Sequence, residues 1–178
     1  MLSVLVGYTG GSTPDPTYRN LGDHSEAVEV RFDPQQVSYR RLLEAFWEYH
    51  RPLAPAYARQ YRSAVFYRTP EQKRLAEQVK IWLEQERSVP LYTAIEPAGV
   101  FYPAEDYHQK YTLQHHTVLM DALQDLYPDR AALFRSTVAA RLNAALAGDA
   151  SLAPIRAAFE LENVSAEKRL ELERLLKQ

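Results

Sequence analysis

Apolar and polar positions along this chain fall into short blocks with two different periods. Residues 2–6 are apolar except for Ser3, which predicts a buried strand. Residues 27–32 alternate, with Val28, Val30 and Phe32 on one face and Glu29 and Arg31 on the other. That pattern predicts a half-buried strand, ended by Asp33-Pro34. Between the two, residues 7–16 hold three Gly and two Pro and read as a loop. Ser38 is a suitable cap for a helix carrying Leu42, Leu43, Phe46 and Trp47 at helical spacing, with His50 and Pro52 marking its end. Residues 61–67 and 91–95 read as further strands. Between them Thr69-Pro70-Glu71-Gln72 forms a capping box with Pro at the first helical position. The helix it opens runs through Leu75, Val79, Trp82 and Leu83 and stops before Pro90. Residues 105–113 predict a short helix.

From Thr117 onward the pattern changes. Ala, Leu, Glu and Arg dominate, and the segment reads as two or three helices broken at Pro128, Gly148 and Pro154. Strands alternating with helices, followed by helices alone, predict an α+β fold. It would hold a mixed sheet with flanking helices over residues 1–116 and a helical C-terminal extension over residues 117–178.

Composition narrows the function. A chain of 178 residues, 46% hydrophobic and 25% charged, is ordinary for one globular domain with an appendage. A formal net charge of -2 argues against binding nucleic acid or an anionic membrane, either of which needs a basic face. No apolar run approaches the roughly 18 residues of a membrane span, and no secretory signal opens the chain, so cytoplasm is the expected location. The chain contains no cysteine, which excludes a disulfide framework, a thiolate metal site and a cysteine nucleophile within these residues.

Several segments carry more specific information: Val6-Gly7-Tyr8-Thr9-Gly10-Gly11, Pro16-Thr17-Tyr18-Arg19-Asn20, Gly22-Asp23-His24-Ser25-Glu26, Phe32-Asp33-Pro34, Ser38-Tyr39, Gln60-Tyr61-Arg62-Ser63-Ala64 and Ala104-Glu105-Asp106-Tyr107-His108-Gln109. In this order they resemble the peptide-methionine (S)-S-oxide reductases, the A-type methionine sulfoxide reductases. The resemblance covers about two thirds of the chain and fades after His116. It implies a ferredoxin-like α+β core and reduction of methionine-S-sulfoxide in proteins as a repair of oxidative damage. It further implies no bound cofactor, and thioredoxin or another thiol as reductant and partner.

The resemblance also assigns roles. Glu26 maps onto the family's acid. Strand parity places Glu26 on the face of Val28, Val30 and Phe32, where desolvation would favour a protonated carboxyl. Such a carboxyl could protonate a departing sulfoxide oxygen. Spacing alone favours Glu26 as a frayed strand start facing water, and the resemblance reverses that preference. Tyr18 and Tyr61 map onto the tyrosines that hold the sulfoxide oxygen, and a phenol is a donor on a rigid apolar ring. Among twelve tyrosines, either one without its flanking residues would read as packing. Tyr8, Gly10, Gly11, His24, Tyr102, Glu105, Asp106 and His108 map onto pocket support, with His24 and His50 reading as structural. Gly10-Gly11 lacks the following Lys-Ser/Thr of a phosphate loop, and reads as a tight turn. Glu105, Asp106, His108, His115 and His116 match no metal-ligand spacing.

The chain departs from the family at its reagent. The family's nucleophile lies in a Gly-Cys-Phe-Trp-Gly motif that precedes the Gly-Tyr-Thr-Gly-Gly turn, and no such motif is present. Ser3 is the one hydroxyl near that end, and an alcohol does not reduce a sulfoxide. The chain is therefore expected to be inactive by itself. Two explanations stand. Met1-Leu2-Ser3 sits where family members read Val-x-Ser, so the start is expected to be misassigned, with the cysteine segment encoded upstream. Alternatively this is a cysteine-free relative that binds methionine sulfoxide or a partner protein, with the loss of a core strand compensated by the C-terminal helices or by a homo-oligomer. A third reading is an interaction module whose apolar edge is Leu170, Leu172, Leu175 and Leu176.

Overall fold

The structure, a computed structural model, describes residues 2–50, 53–148 and 153–176, apart from the Leu161 side chain. The chain divides into two compact units. One contains Gly7–Val28 and Phe32–Pro103, and the other contains Met1–Val6, Glu29–Arg31 and Ala104–Gln178. The change in composition at Thr117 falls inside the latter.

Among the described residues the strands form two small sheets instead of one mixed sheet. The first has three strands in the order β2-β1-β5: β1 (Ser3–Thr9), β2 (Ser25–Arg31) and β5 (Tyr102–Pro103). β5 runs antiparallel to β1, with Tyr8 opposite Tyr102. The second pairs β3 (Ala64–Tyr67) with β4 (Ala94–Pro97) in parallel, Val65 opposite Ile95. β1 extends three residues into the segment expected as loop, because the chain turns first at Gly10, whose φ is +79°. β3 starts at Ala64 instead of residue 61, because Arg59–Tyr61 close a 3₁₀ turn in which the Arg62 N–H donates to the Arg59 carbonyl.

The unit holding Gly7–Val28 and Phe32–Pro103 builds its core where two helices meet the parallel pair. Helix α1 (Tyr39–Tyr49) is capped by Ser38, whose hydroxyl accepts from the Arg41 N–H at 3.2 Å, as expected. It ends at His50, and Pro52, expected beyond it, lies outside the described residues. Helix α2 (Pro70–Arg87) begins at the expected capping box. Thr69 Oγ1 accepts from Gln72 N, and the Gln72 side chain reaches back to the Arg68 N–H at 2.7 Å. Leu43 and Trp47 of α1 pack with Ala76, Val79 and Leu83 of α2 and with Val65. Each large apolar side chain fully buried there contributes about 1.5–3 kcal/mol. Of the four apolar positions read as the stripe of α2, Val79 and Leu83 are buried, Leu75 is half-buried and Trp82 is 52% exposed.

The other unit is mainly helical among its described residues. α3 (Tyr111–Gln114), α4 (Thr117–Leu126), α5 (Arg130–Arg135), α6 (Thr137–Leu146), α7 (Ala153–Leu161) and α8 (Ala166–Leu175) follow a 3₁₀ turn at Asp106–His108. The two or three expected helices are thus five beyond residue 117. Ser136 starts a new helix by capping Ala139 N, a break the apolar pattern does not show. Pro154 opens α7 instead of ending a helix, since its missing N–H costs nothing in a first turn. The Glu162 carboxylate accepts from the Thr137 and Val138 N–H groups at the start of α6 and from the Tyr127 hydroxyl. Leu172 and Leu175 are buried in their own unit while Leu170 is exposed, so α8 does not present the apolar edge that an interaction module needs.

Two side chains hold β1 from within this unit. The Gln109 amide accepts from Val6 N at 3.2 Å and donates to Val6 O at 2.8 Å and Ala104 O at 3.1 Å. Lys110 Nζ donates to Val4 O at 2.6 Å. Both residues are buried.

Candidate functional site

The site grows from the start of β2. Ser25 is buried, its Oγ accepting from Arg62 Nε at 2.7 Å and donating to Arg59 O at 3.1 Å. Side chains alternate along a strand, so fixing Ser25 inward turns Glu26 outward. Glu26 is exposed, and Val28 beside it on the same face is 59% exposed. The expectation that Glu26 points to a buried apolar face is corrected here. The alternating pattern gave the period, but the hydrogen bonds of Ser25 decide which face is sheltered.

Arg62 and Arg59 organise what faces Glu26. Arg62 grips both oxygens of Glu96, at 2.5 and 2.7 Å, and holds that carboxyl below its usual range. Arg59 donates to the backbone carbonyls of Asp23, at 2.6 Å, and Gly10, at 3.1 Å. The 3₁₀ turn thus anchored presents Gln60, whose amide donates to Glu26 at 3.4 Å, and Tyr61, which is 45% exposed. Tyr57 lies against Tyr61 with ring centroids 5.3 Å apart. Its phenol is held above the ordinary tyrosine value, first by desolvation and then by Tyr61, Glu26 and Tyr18. That one residue senses all three of the others places Glu26, Tyr18, Tyr57 and Tyr61 around a common patch of surface. Tyr18 is 46% exposed.

The turn between β1 and β2 forms the floor. The Asp23 carboxylate accepts from the Ser12 and Thr13 N–H groups and from both hydroxyls, at 2.8–3.0 Å. These donors, Thr13 before Ser12, hold its carboxyl far below the usual range. His24 is buried and receives the Gly11 N–H on Nδ1 while Nε2 donates to Thr13 O. An amide N–H can only donate and a carbonyl only accept, so the ring is the neutral Nε2–H tautomer. Tyr102 meets His24 edge-on at 5.5 Å, and Tyr8, its partner in the sheet, is buried. Both glycines are sterically required: a Cβ on Gly10 would lie 2.5 Å from the Phe66 ring, and one on Gly11 would lie 2.7 Å from the backbone of Asp23. His50 bonds Ser63 Oγ, which meets Thr93 Oγ1 at 2.6 Å, a bracing role for that histidine.

Glu105, Asp106 and His108 belong to the other compact unit. There Asp106 pairs with Arg130 at 3.3 Å, and the His108 ring lies against Tyr107. Tyr57 and Arg59 were missed by sequence reading. Their signal was the i, i+4 spacing of Tyr57 and Tyr61, lost among the chain's twelve tyrosines.

The assembled surface offers phenolic donors and a carboxyl to an oxygen acceptor, above a floor whose polar groups are already engaged. It contains no sulfur to donate an electron pair. A family model described as peptide methionine sulfoxide reductase matches residues 1–139, reaching beyond His116. The chain is 41% identical over 172 residues to a peptide methionine sulfoxide reductase of Drosophila melanogaster, a match covering 95% of this chain and 68% of that protein. It is 49% identical over 118 residues to peptide methionine sulfoxide reductase MsrA of Nitrobacter winogradskyi, covering 62% of this chain and 66% of that one. Its fold is similar to that of methionine sulfoxide reductase A of Corynebacterium diphtheriae, with a TM-score of 0.54 and 33% identity, over 65% of this chain and 64% of that one. The chain therefore spans only part of the length of the proteins it matches.

Proposed function

This chain belongs to the peptide methionine sulfoxide reductase family, and we propose that the patch formed by Glu26, Tyr18, Tyr57 and Tyr61 receives the oxygen of methionine-S-sulfoxide in proteins. The observation that carries this reading is the stacking of Tyr57 on Tyr61 with Tyr18 and Glu26 beside them. A sulfoxide oxygen is a strong acceptor with a partial negative charge, and donors on rigid rings hold it without reorganisation. Sulfoxide reduction needs a thiolate to attack sulfur as the oxygen is protonated. Oxygen then passes to the thiolate as a sulfenic acid and methionine is released; a second thiol condenses with the sulfenic acid, losing water to form a disulfide, and a further thiol reduces that disulfide to restore the first. Glu26 is the proton donor in this scheme. Because it is exposed, its shelter from water must arrive with the ligand and whatever covers it.

The attacking sulfur must come from outside these 178 residues, since none of them is cysteine. A thiol such as thioredoxin, in the cytoplasm, closes the cycle where such a sulfur is supplied. By itself the chain is a binding half-site. Among the described residues, no helix is long and apolar enough to cross a membrane.

The test is titration of the purified chain with N-acetyl-methionine-S-sulfoxide amide and with its unoxidised counterpart, alongside a turnover assay with dithiothreitol. The expected result is preferential binding of the sulfoxide without turnover. Tyr61→Phe should weaken binding about fivefold, through loss of one hydrogen bond worth about 1 kcal/mol. Turnover, or equal affinity for sulfoxide and thioether, would overturn the reading.

A further inference from the structure

A cleft of about 360 Å³ opens beside the oxygen-binding patch and shares Tyr57 with it. Its walls are Pro55, Ala56, Tyr57 and Tyr92, and its polar lining includes Arg59 and Arg62. The two arginines are not equivalent. Arg62 is neutralised by Glu96 in a two-point contact, and its side chain is only 16% exposed. Arg59 is exposed and spends two of its donors on the uncharged carbonyls of Asp23 and Gly10. Among the described residues no carboxylate lies within ion-pair distance of it. Glu96 is close enough for Arg59 to help depress its carboxyl, but that carboxylate is already engaged by Arg62. Arg59, Arg62 and Glu96 together therefore leave one unit of positive charge at the cleft. The guanidinium that carries it is held rigidly by the turn that also places Tyr61.

Building on the oxygen-binding reading above, we propose that this cleft is a carboxylate subsite, and that Arg59 selects oxidised methionines with a carboxylate next to them. A fixed planar cation beside apolar walls suits a short acidic side chain reaching back from the residue after the methionine. A carboxylate that displaces water from an anchored guanidinium gains a charge-assisted bond with little loss of side-chain freedom. The same chemistry could be presented by the terminal carboxylate of a chain ending in methionine sulfoxide. Arg59 is here a specificity-determining residue and takes no part in proton or oxygen transfer.

The experiment compares affinities of the unaltered chain for acetyl-Gly-methionine-S-sulfoxide-Glu-amide and its Gln isostere, and for acetyl-Gly-methionine-S-sulfoxide as free acid and as amide. Each pair is repeated with unoxidised methionine. We expect the Glu peptide to bind about tenfold tighter than the Gln peptide, with the ratio shrinking as salt is raised. A preference confined to the free acid would support the subsite and assign it to chain termini. Arg59→Gln should remove the preference. Because that variant also loses two bonds to the turn, the peptide pairs and the salt series on the unaltered chain decide the matter without it. Equal affinity across both pairs would overturn the subsite. An acid preference without discrimination of sulfoxide from methionine would overturn the oxygen-binding reading and leave the subsite standing. No binding of any peptide would overturn both.

Discussion

Arg62 and Glu96 form a two-point ion pair across the parallel strands, with Nη1 and Nη2 at 2.5 and 2.7 Å from the two carboxylate oxygens. The same guanidinium uses Nε to hold Ser25 inward, so this pair fixes the strand parity that turns Glu26 toward the candidate site. An acid–base contact thereby controls the geometry of a residue that neither partner touches.

Glu96→Gln should destabilise the chain by about 1–2 kcal/mol at neutral pH, a value discounted because Glu96 is partly exposed. The Glu96 carboxyl is depressed by the Arg62 hydrogen bonds below its usual 4.5. A depressed carboxyl contributes stability that is present above the ordinary value and lost as pH falls through the folded one. The gap between unaltered and variant chains should therefore be full above pH 5 and close progressively below pH 4.5, as read by urea denaturation across a pH series. A gap independent of pH would refute the ionic account.

Gln109→Ala should cost about 2–4 kcal/mol in the same measurement. It strands the Val6 N–H, removes one of two donors to Val6 O and empties a buried site. Gln109→Glu should be at least as damaging, because a carboxylate would face the carbonyls of Val6 and Ala104 with no proton to donate. Full stability in the Glu variant would show that the amide is not acting as a surrogate strand partner.

Lys110 gives a signature at alkaline pH. Burial pushes its amine down to about 8 from 10.5, so between those values the unfolded chain binds more protons than the folded one. Stability should therefore rise with pH from 8 toward 10, by up to about 3 kcal/mol at one pKa unit per 1.36 kcal/mol. Lys110→Met should flatten that rise. A stability curve identical in the two proteins would mean that Nζ reaches solvent instead of Val4 O.

The sequence by itself determined several local elements and the family. Ser38 and Thr69 were legible as caps because a cap acts on its own helix within a few residues, and the α+β class followed from periodicity alone. The absence of cysteine settled, with no fold required, that these residues contain no thiolate. The quoted motifs pointed to the family that the comparisons show. What the tertiary structure decided concerns direction and pairing. Alternation in β2 could not say which face is sheltered, because that depends on Arg62 reaching Ser25 across 37 positions of sequence. Gln109 and Lys110 fall in a segment whose sequence predicts a short helix and prove to be buried supports of β1, since they bond backbone atoms more than 100 positions away. Tyr57 and Arg59 acquired meaning only when a 3₁₀ turn set them beside Tyr61. Short-range interactions are written in neighbouring letters, whereas side chains that satisfy distant backbone groups or leave a charge unpaired become visible only once the chain has closed on itself.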